Sequence, residues 1–223
     1  MRLAPKLMSF DVFGTLISVR DSSYAAFERI LADAGAPHVD VRAFWEYWEH
    51  RNIAHYWEPY RSYRAICELS LQEAFEHFRI TGAGRLIEHY FEAFPRFFLY
   101  DDVIRALDRL SRRYQLAVVS NMDDDLFRAT PLRREFDLVC TAQRARGYKP
   151  DGTLFRYLID HAGCRIDEIL HSGQSQFTDL VGGKPLGLTI AWINRRHVAL
   201  DDSVPRPDFI LHDVQSLTGL VED

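Results

Sequence analysis

Short apolar runs alternate with amphipathic segments over much of the chain. The first run, Leu7-Met8-Ser9-Phe10, predicts a strand over about 6–12. Further strands are predicted over about 115–120, 137–140, 168–171 and 188–193, with a last edge strand over 209–211. Helices are predicted between them over about 123–133, 151–162 and 177–185. This alternation is typical of an α/β fold, a doubly wound parallel sheet with helices on both faces.

The stretch from about 20 to 98 has helical rather than strand periodicity. Asp21-Ser22-Ser23 predicts a helix start and Gly35 a helix end, with apolar residues at helical spacing between them. More helices are predicted over about 40–57, 60–79 and 83–98. The sequence therefore predicts a core over 1–19 and 99–223 and an inserted α-helical cap over 20–98, placed above the active edge of the sheet.

Composition narrows the class of protein. The chain has 223 residues, 47% of them hydrophobic, and a net charge of -5, which gives no basic surface for a nucleic-acid partner. Its three cysteines have no paired spacing, so we expect neither a disulfide framework nor a zinc site. No apolar run approaches the length of a membrane span and the N-terminal residues lack a signal-peptide pattern, so we expect no membrane partner and a cytoplasmic location.

Asp11 follows the first apolar run directly, where open α/β sheets place their chemistry. Gly14 permits a tight turn and the Thr15 hydroxyl can hold the carboxylate, which favours Asp11 as a nucleophile. An aspartate at a strand end is also common as a turn or capping residue. This motif alone leaves both interpretations open.

Other polar residues follow later runs in the same way. Lys149 would keep Asp11 ionised, and Asp179 would pair with Lys149 and help to activate water. Ser120 and Asn121 offer a hydroxyl and an amide for a substrate carboxylate or a leaving group. Each also has a plainer interpretation, as a surface lysine, a helix first-turn acid or capping residues.

Together these four loops resemble those of the haloacid dehalogenase-like (HAD) hydrolase superfamily, over nearly the whole chain. The forms Asp-Val-Phe-Gly-Thr at 11–15, Gln-Ser-x-x-x-Asp at 174–179 and the tail at 189–195 resemble the 2-haloacid dehalogenase (type II) branch. The resemblance implies a Rossmann-like core with a helical cap. It implies Asp11, Thr15, Lys149 and Asp179 as catalytic residues, and as substrate-binding residues Phe13, Ser120, Asn121, Gln174 and Ser175.

The chemistry implied is nucleophilic displacement at carbon. Ionised Asp11 would attack an sp3 carbon that bears a leaving group, and water would cleave the resulting aspartyl ester. The expected partner is a small 2-substituted carboxylic acid, with an (S)-2-haloacid as the favoured substrate.

Two substitutions argue against phosphoryl transfer. Phosphatases of the superfamily usually carry a second acid two residues after the nucleophile, where this chain has Phe13, and another acid where it has Gln174. Since these acids serve proton transfer and Mg2+ binding, we expect no cofactor and no metal site. Mg2+ is expected only if the phosphatase alternative holds.

One departure from the dehalogenase pattern concerns the leaving group. That branch has an arginine after a cap tryptophan to hold the departing halide, whereas Glu49 follows Trp48 here. Arg51 is the predicted replacement in the substrate site, with Arg61 and Arg64 as further candidates. Three alternatives stay open: a ring-opening hydrolase of a small heterocyclic carboxylate (azetidine-carboxylate type), a HAD phosphatase, and a non-catalytic HAD-fold binding protein. A homodimer is also left open.

Overall fold

A computed structural model describes residues 4–221, and the ends of the two predicted core segments, 1–3 and 222–223, lie outside the described residues. Within residues 4–221 six strands form one parallel sheet in the order β3-β2-β1-β4-β5-β6. The strands are β1 Leu7–Phe10, β2 Gln115–Ser120, β3 Leu138–Thr141, β4 Ile169–Gly173, β5 Thr189–Ile193 and β6 Phe209–Leu211. The strand order reverses direction at β1, which is the topological switch point where such sheets bind ligands.

Helices cover both faces of the sheet, as the alternating pattern predicts. Of the α-helices in residues 4–221, five lie between β1 and β2 in the chain: α1 Val19–Asp33, α2 Val41–His55, α3 Tyr63–His77, α4 Glu88–Ala93 and α5 Val103–Leu110. The others are α6 Asp124–Ala129, α7 Ala142–Ala145, α8 Thr153–His161, α9 Val181–Gly183 and α10 Leu217–Val221. The predicted fold class is therefore confirmed, whereas the domain boundaries at 19/20 and 98/99 stay a prediction.

Strand β1 is buried on both faces and aligned with both neighbours. Phe10 pairs in register with Val118 of β2 and with Ser172 of β4, so β1 ends two residues before the end of β2 and one residue before the end of β4. Met8 and Phe10 belong to one hydrophobic cluster and Leu7 to another, because successive side chains point to opposite faces of the sheet. Because β1 is buried on both faces, Asp11, the residue that follows it, is held at the carboxyl edge of the sheet.

Two of the helices between β1 and β2, α2 and α3, begin at residues whose side chains cap the first turn, and aromatic side chains pack the helices together. Asp40 accepts a hydrogen bond from the Arg42 backbone N–H, and the Ser62 hydroxyl accepts one from Ala65, each satisfying a donor of the first turn. The ring centroids of Phe27 and Trp48 are 4.9 Å apart. Edge and tilted contacts of this kind stabilise the packing by about 0.5–1.5 kcal/mol each.

Several predicted helices are shorter than expected, and proline explains most of this. The segment predicted as a helix over 83–98 contains α4 flanked by 3-10 turns, the second of which includes Pro95. The segment predicted over 177–185 becomes a π turn at Gln176–Leu180, the short α9 and a 3-10 turn that contains Pro185. Proline lacks the backbone N–H that continues an α-helix.

Within residues 4–221 no helix is both long enough and apolar enough to cross a membrane.

Candidate active site

Four chain segments converge at the carboxyl edge of the sheet. Asp11 follows β1, Ser120 ends β2, Lys149 precedes α8 and Asp179 lies in the π turn after β4. All four residues are buried, and burial of Asp11, Lys149 and Asp179 is unusual for charged groups unless they are paired. The structure thus brings the predicted catalytic residues together.

The Asp11 carboxylate is held by two donors. The Lys149 ammonium contacts Oδ1, and the Thr15 hydroxyl donates to Oδ2 over 2.7 Å. Thr15 is itself oriented by the Gln174 backbone N–H, which donates to Oγ1 over 2.8 Å. Gly14 has φ +83, and a Cβ there would collide with the Gln174 amide, so the turn below the carboxylate requires glycine.

Lys149 is the central cation of the site and is 1% exposed. Its Nζ contacts Asp11 and donates to Asp179 Oδ1 over 2.9 Å, which confirms the predicted pairing of Lys149 with Asp179. Burial lowers the pKa of the ammonium, but Asp11 and Asp179 outweigh burial and raise it above the usual value. Lys149 therefore stays protonated at neutral pH.

Asp179 lies behind Lys149 and is fully enclosed. Burial would raise its pKa, but Lys149 and His171 outweigh burial and lower it to about 2. Its Oδ2 also accepts the Ser175 backbone N–H over 3.0 Å. A carboxylate this acidic, with both oxygens occupied, is a weak base, so the geometry disfavours the expected role of Asp179 in activating water. Instead, its contact with the Lys149 ammonium holds that group in position.

Two residues that support Asp179 are absent from the predicted site. His171 Nε2 lies 3.2 Å from Asp179 Oδ1, and His171 Nδ1 lies 2.9 Å from the Ser9 hydroxyl. Both residues are fully buried and pair with each other in the register of β1 and β4. In the sequence, each of these two residues is a polar residue within an apolar strand, and this is the signal that could have identified them.

The pKa of Asp11 itself is raised above its ordinary value. Burial is the largest cause and the charge of Asp179 adds to it, while Lys149 and the Thr15 hydroxyl act in the opposite direction. A carboxylate that is partly desolvated but still ion-paired is a stronger nucleophile than one in water.

A cavity of about 270 Å³ opens over Asp11, small even for a ligand pocket. The expected substrate-binding residues Phe13, Ser120, Asn121, Gln174 and Ser175 all line it. Asn121 is fixed by its Oδ1, which accepts the Lys149 backbone N–H over 2.9 Å, so its amide N–H group is left to face a ligand.

Arg51 is the exception among the predicted substrate-binding residues. It does not line the cavity, because its guanidinium donates to Glu73, with Nε 2.7 Å from Oε2. Arg61 pairs with Glu58 at 3.0 Å and Arg64 with Asp125 at 2.7 Å, and neither lines the cavity. The arginine that does is Arg196, after β5, which sequence reasoning did not single out.

The helical side of the cavity consists mainly of aromatic rings. We call this surface the aromatic wall, formed by Trp45, Trp48, Tyr56, Tyr63 and Tyr90. Glu49 lies in the same wall.

The helical segment and the core are joined by hydrogen bonds near the site. The Asp123 carboxylate, after β2, accepts the backbone N–H groups of Tyr63 and Arg64 over 3.1 and 3.0 Å and so caps α3. Tyr148 stacks on Tyr56 with centroids 4.5 Å apart. Because Tyr148 directly precedes Lys149, this contact joins the aromatic wall to the segment that carries the cation.

The residues present do not fit Mg2+. Phe13 offers no ligand and Gln174 a neutral amide, while both buried carboxylates already accept the Lys149 ammonium. Within residues 4–221 no group of three or more His, Cys, Asp and Glu side chains is arranged to hold a metal ion. Two carboxylates neutralised by an ammonium are a poor substitute for the hard oxygen cage that Mg2+ prefers.

Comparisons with known proteins agree with this geometry. A family model described as haloacid dehalogenase-like hydrolase matches residues 5–187. The chain is 25% identical to (S)-2-haloacid dehalogenase 4A of Burkholderia cepacia, with 95% of this chain and 91% of that protein covered. It is 24% identical to haloacetate dehalogenase H-2 of Moraxella sp. (strain B), with 96% of each covered. The solved structure of L-2-haloacid dehalogenase from Xanthobacter autotrophicus superposes with a TM-score of 0.83 at 19% identity, covering 97% of this chain and 98% of that one.

Proposed function

Because the chain belongs to the haloacid dehalogenase-like hydrolase family and is a hydrolase, we propose that it displaces a leaving group from the 2-carbon of a small carboxylic acid. (S)-2-Haloacids are the preferred substrate class in this proposal, since one full-length relative is named an (S)-2-haloacid dehalogenase, and the other is named a haloacetate dehalogenase. The proposal needs no cofactor.

The observation that carries the proposal is the environment of Asp11. Its carboxylate faces the cavity, with the Lys149 ammonium on one oxygen and the Thr15 hydroxyl on the other. These donors set the orientation of the nucleophile before substrate arrives, which lowers the entropic part of the barrier.

In the first step an Asp11 oxygen attacks the 2-carbon. A carbon–oxygen bond forms, the carbon–halogen bond breaks, and its electron pair leaves with the halide. The substrate carboxylate lies toward Ser120 and the free Asn121 amide, both at the end of β2. This polar end of the cavity opposes the aromatic wall, which excludes water from the nucleophile.

In the second step water attacks the carboxyl carbon of Asp11. The ester carbonyl oxygen keeps a donor, either the Thr15 hydroxyl or the Lys149 ammonium, and this donor stabilises the developing oxyanion. The bond between the Asp11 carboxyl carbon and the oxygen attached to the substrate breaks. One proton of the water goes to that oxygen, which gives a 2-hydroxy acid, and the other is released to solvent, so the Asp11 carboxylate is regenerated. Asp179 holds Lys149 in place throughout.

Turnover in oxygen-18 water tests the covalent route. Under single-turnover conditions the heavy oxygen should enter the Asp11 carboxylate, which peptide mass spectrometry detects, while the product 2-hydroxy acid stays unlabelled. Label in the product with none in Asp11 would mean direct attack by water and would overturn the aspartyl ester. Enzyme incubated in the same water without substrate is the control.

The expected cytoplasmic location and the open question of a homodimer stay predictions. The phosphatase, ring-opening and non-catalytic alternatives gain no support from the full-length relatives, which are both dehalogenases by name.

A further inference from the structure

Glu49 is an unpaired carboxylate in an otherwise uncharged wall. Among the described cavity-lining residues of the helical segment 20–98, it is the one with a charged side chain. Within residues 4–221 it has neither an ion pair nor a side-chain hydrogen bond. A carboxylate in such surroundings is costly unless a ligand compensates it.

The cations around Glu49 form no ion pair with it, although the charges of Arg196 and Arg20 act on it. Arg20 interacts with Glu46 at 3.6 Å and lies over the Trp45 ring, 5.5 Å from its centroid. Arg196 is exposed in the cavity lining, and Lys149, on the far side, is held by its two aspartates.

Most donors of the aromatic wall are already used. The Trp48 indole N–H donates to the Cys67 carbonyl over 3.1 Å, and the Tyr56 hydroxyl donates to Asn52 Oδ1 over 2.8 Å. The Trp45 indole nitrogen has no partner but is itself buried. The wall therefore offers ring surfaces and one carboxylate, a combination that favours a cation over an anion.

We propose that Glu49 and the aromatic wall form a subsite for a positively charged nitrogen, so that the preferred substrate is a small carboxylic acid that also carries an ammonium group. This proposal rests on the proposed function for placing the substrate carboxylate at Ser120 and Asn121. The bonds made and broken at Asp11 are unchanged.

The ionisation of Glu49 gives the subsite a pH dependence. Burial raises the pKa of this carboxyl to about 7, with Glu46 acting in the same direction and Arg196 and Arg20 in the opposite one. Asp11 and Lys149 face it across the cavity. Glu49 is therefore largely ionised at pH 8 and largely protonated at pH 6, and the ammonium should bind more tightly at the higher pH.

Calorimetric titration with two unreactive ligands tests the subsite. 3-Aminopropionate and butyrate have the same number of heavy atoms and differ in the ammonium group. We expect wild-type protein at pH 8 to bind 3-aminopropionate about tenfold more tightly than butyrate, and this preference to shrink at pH 6. Equal or tighter binding of butyrate at pH 8 overturns the proposal, as does no detectable binding of 3-aminopropionate.

Glu49→Gln keeps the shape of the side chain and removes its charge. The preference should fall to within about twofold, while Glu76→Gln, on the exposed side of α3, should leave it intact. A preference unchanged in Glu49→Gln overturns the role of Glu49. The oxygen-18 experiment tests a separate point. If Asp11 is not labelled but the ammonium preference is observed, the covalent route is wrong and the subsite stands. If Asp11 is labelled but the ammonium preference is absent, the subsite is wrong and the covalent route stands.

Discussion

The Nε2 atom of His171 lies 3.2 Å from Oδ1 of Asp179. Through this contact a histidine buried in β4 reaches the carboxylate that holds Lys149, and Lys149 in turn contacts the nucleophile. Ser9, on the neighbouring strand β1, lies against the other ring nitrogen. The catalytic cation is thus held by a polar chain that runs into the centre of the sheet, where low dielectric strengthens each contact.

Removing the imidazole should weaken both fold and catalysis. His171→Gln is expected to lower the free energy of unfolding by about 1–3 kcal/mol, because buried partners lose a hydrogen bond, and to reduce kcat several-fold. Denaturant unfolding and halide release measure the two effects, with the exposed His38→Gln as control. An unchanged kcat and pH profile in a destabilised variant would make His171 a structural residue only.

Asp11→Asn should abolish turnover while the protein stays folded. An amide fills the same space but cannot attack carbon, so we expect kcat to fall by several orders of magnitude. Lys149 keeps its contact with Asp179 in this variant, so we expect the folded state to persist, as circular dichroism can check. Asp101→Asn, at an exposed position, is the control. Retention of more than about a tenth of the rate would contradict a nucleophilic role.

Acid should inactivate the enzyme through Asp11. Its pKa is raised above the ordinary value of 3.8, so kcat/KM should fall as pH decreases through that raised pKa and the carboxylate is neutralised. Asp179, with a pKa of about 2, stays ionised over the same range and adds no second step. Rates between about pH 4 and 8, with circular dichroism to exclude unfolding, measure this. A flat profile down to pH 4 would mean that Asp11 has no raised pKa.

Chelation should leave activity intact. Since Lys149 already neutralises the buried carboxylates, we expect halide release to change less than about twofold in EDTA. The same sample should be assayed for phosphate release from a phosphate monoester, with and without Mg2+. Loss of activity in EDTA that Mg2+ restores would instead favour the phosphatase alternative.

The arginines near the cavity should differ in their effects. Arg51→Met is expected to leave the rate within about twofold and stability within about 1 kcal/mol, because its partly exposed pair with Glu73 lies outside the cavity. Arg61→Met and Arg64→Met should behave alike. Arg196→Met should raise KM several-fold, since this cation lines the cavity. Steady-state kinetics of the four variants test these expectations. A large loss of rate in Arg51→Met would support the predicted role of Arg51 in the substrate site.

The loop motifs predicted much of the site because they are local. Asp11 and Thr15 are four residues apart, and one turn fixes their 2.7 Å contact. Lys149 and Asp179 are distant in sequence, yet each follows a strand or loop that a parallel sheet delivers to one edge. Strand patterns that predict the fold therefore also predict which polar residues meet.

The alternation of strands and helices, the edge that carries Asp11 and the pairing of Lys149 with Asp179 could be predicted from the sequence alone. The contact of Arg51 with Glu73, the place of Arg196 in the cavity lining, and the positions of His171 and Ser9 beneath Asp179 are visible only in the folded molecule. The difference arises because burial of an apolar run constrains the backbone strongly. The direction of a long charged side chain, and the partner of a polar residue within an apolar strand, depend instead on neighbours brought close by packing.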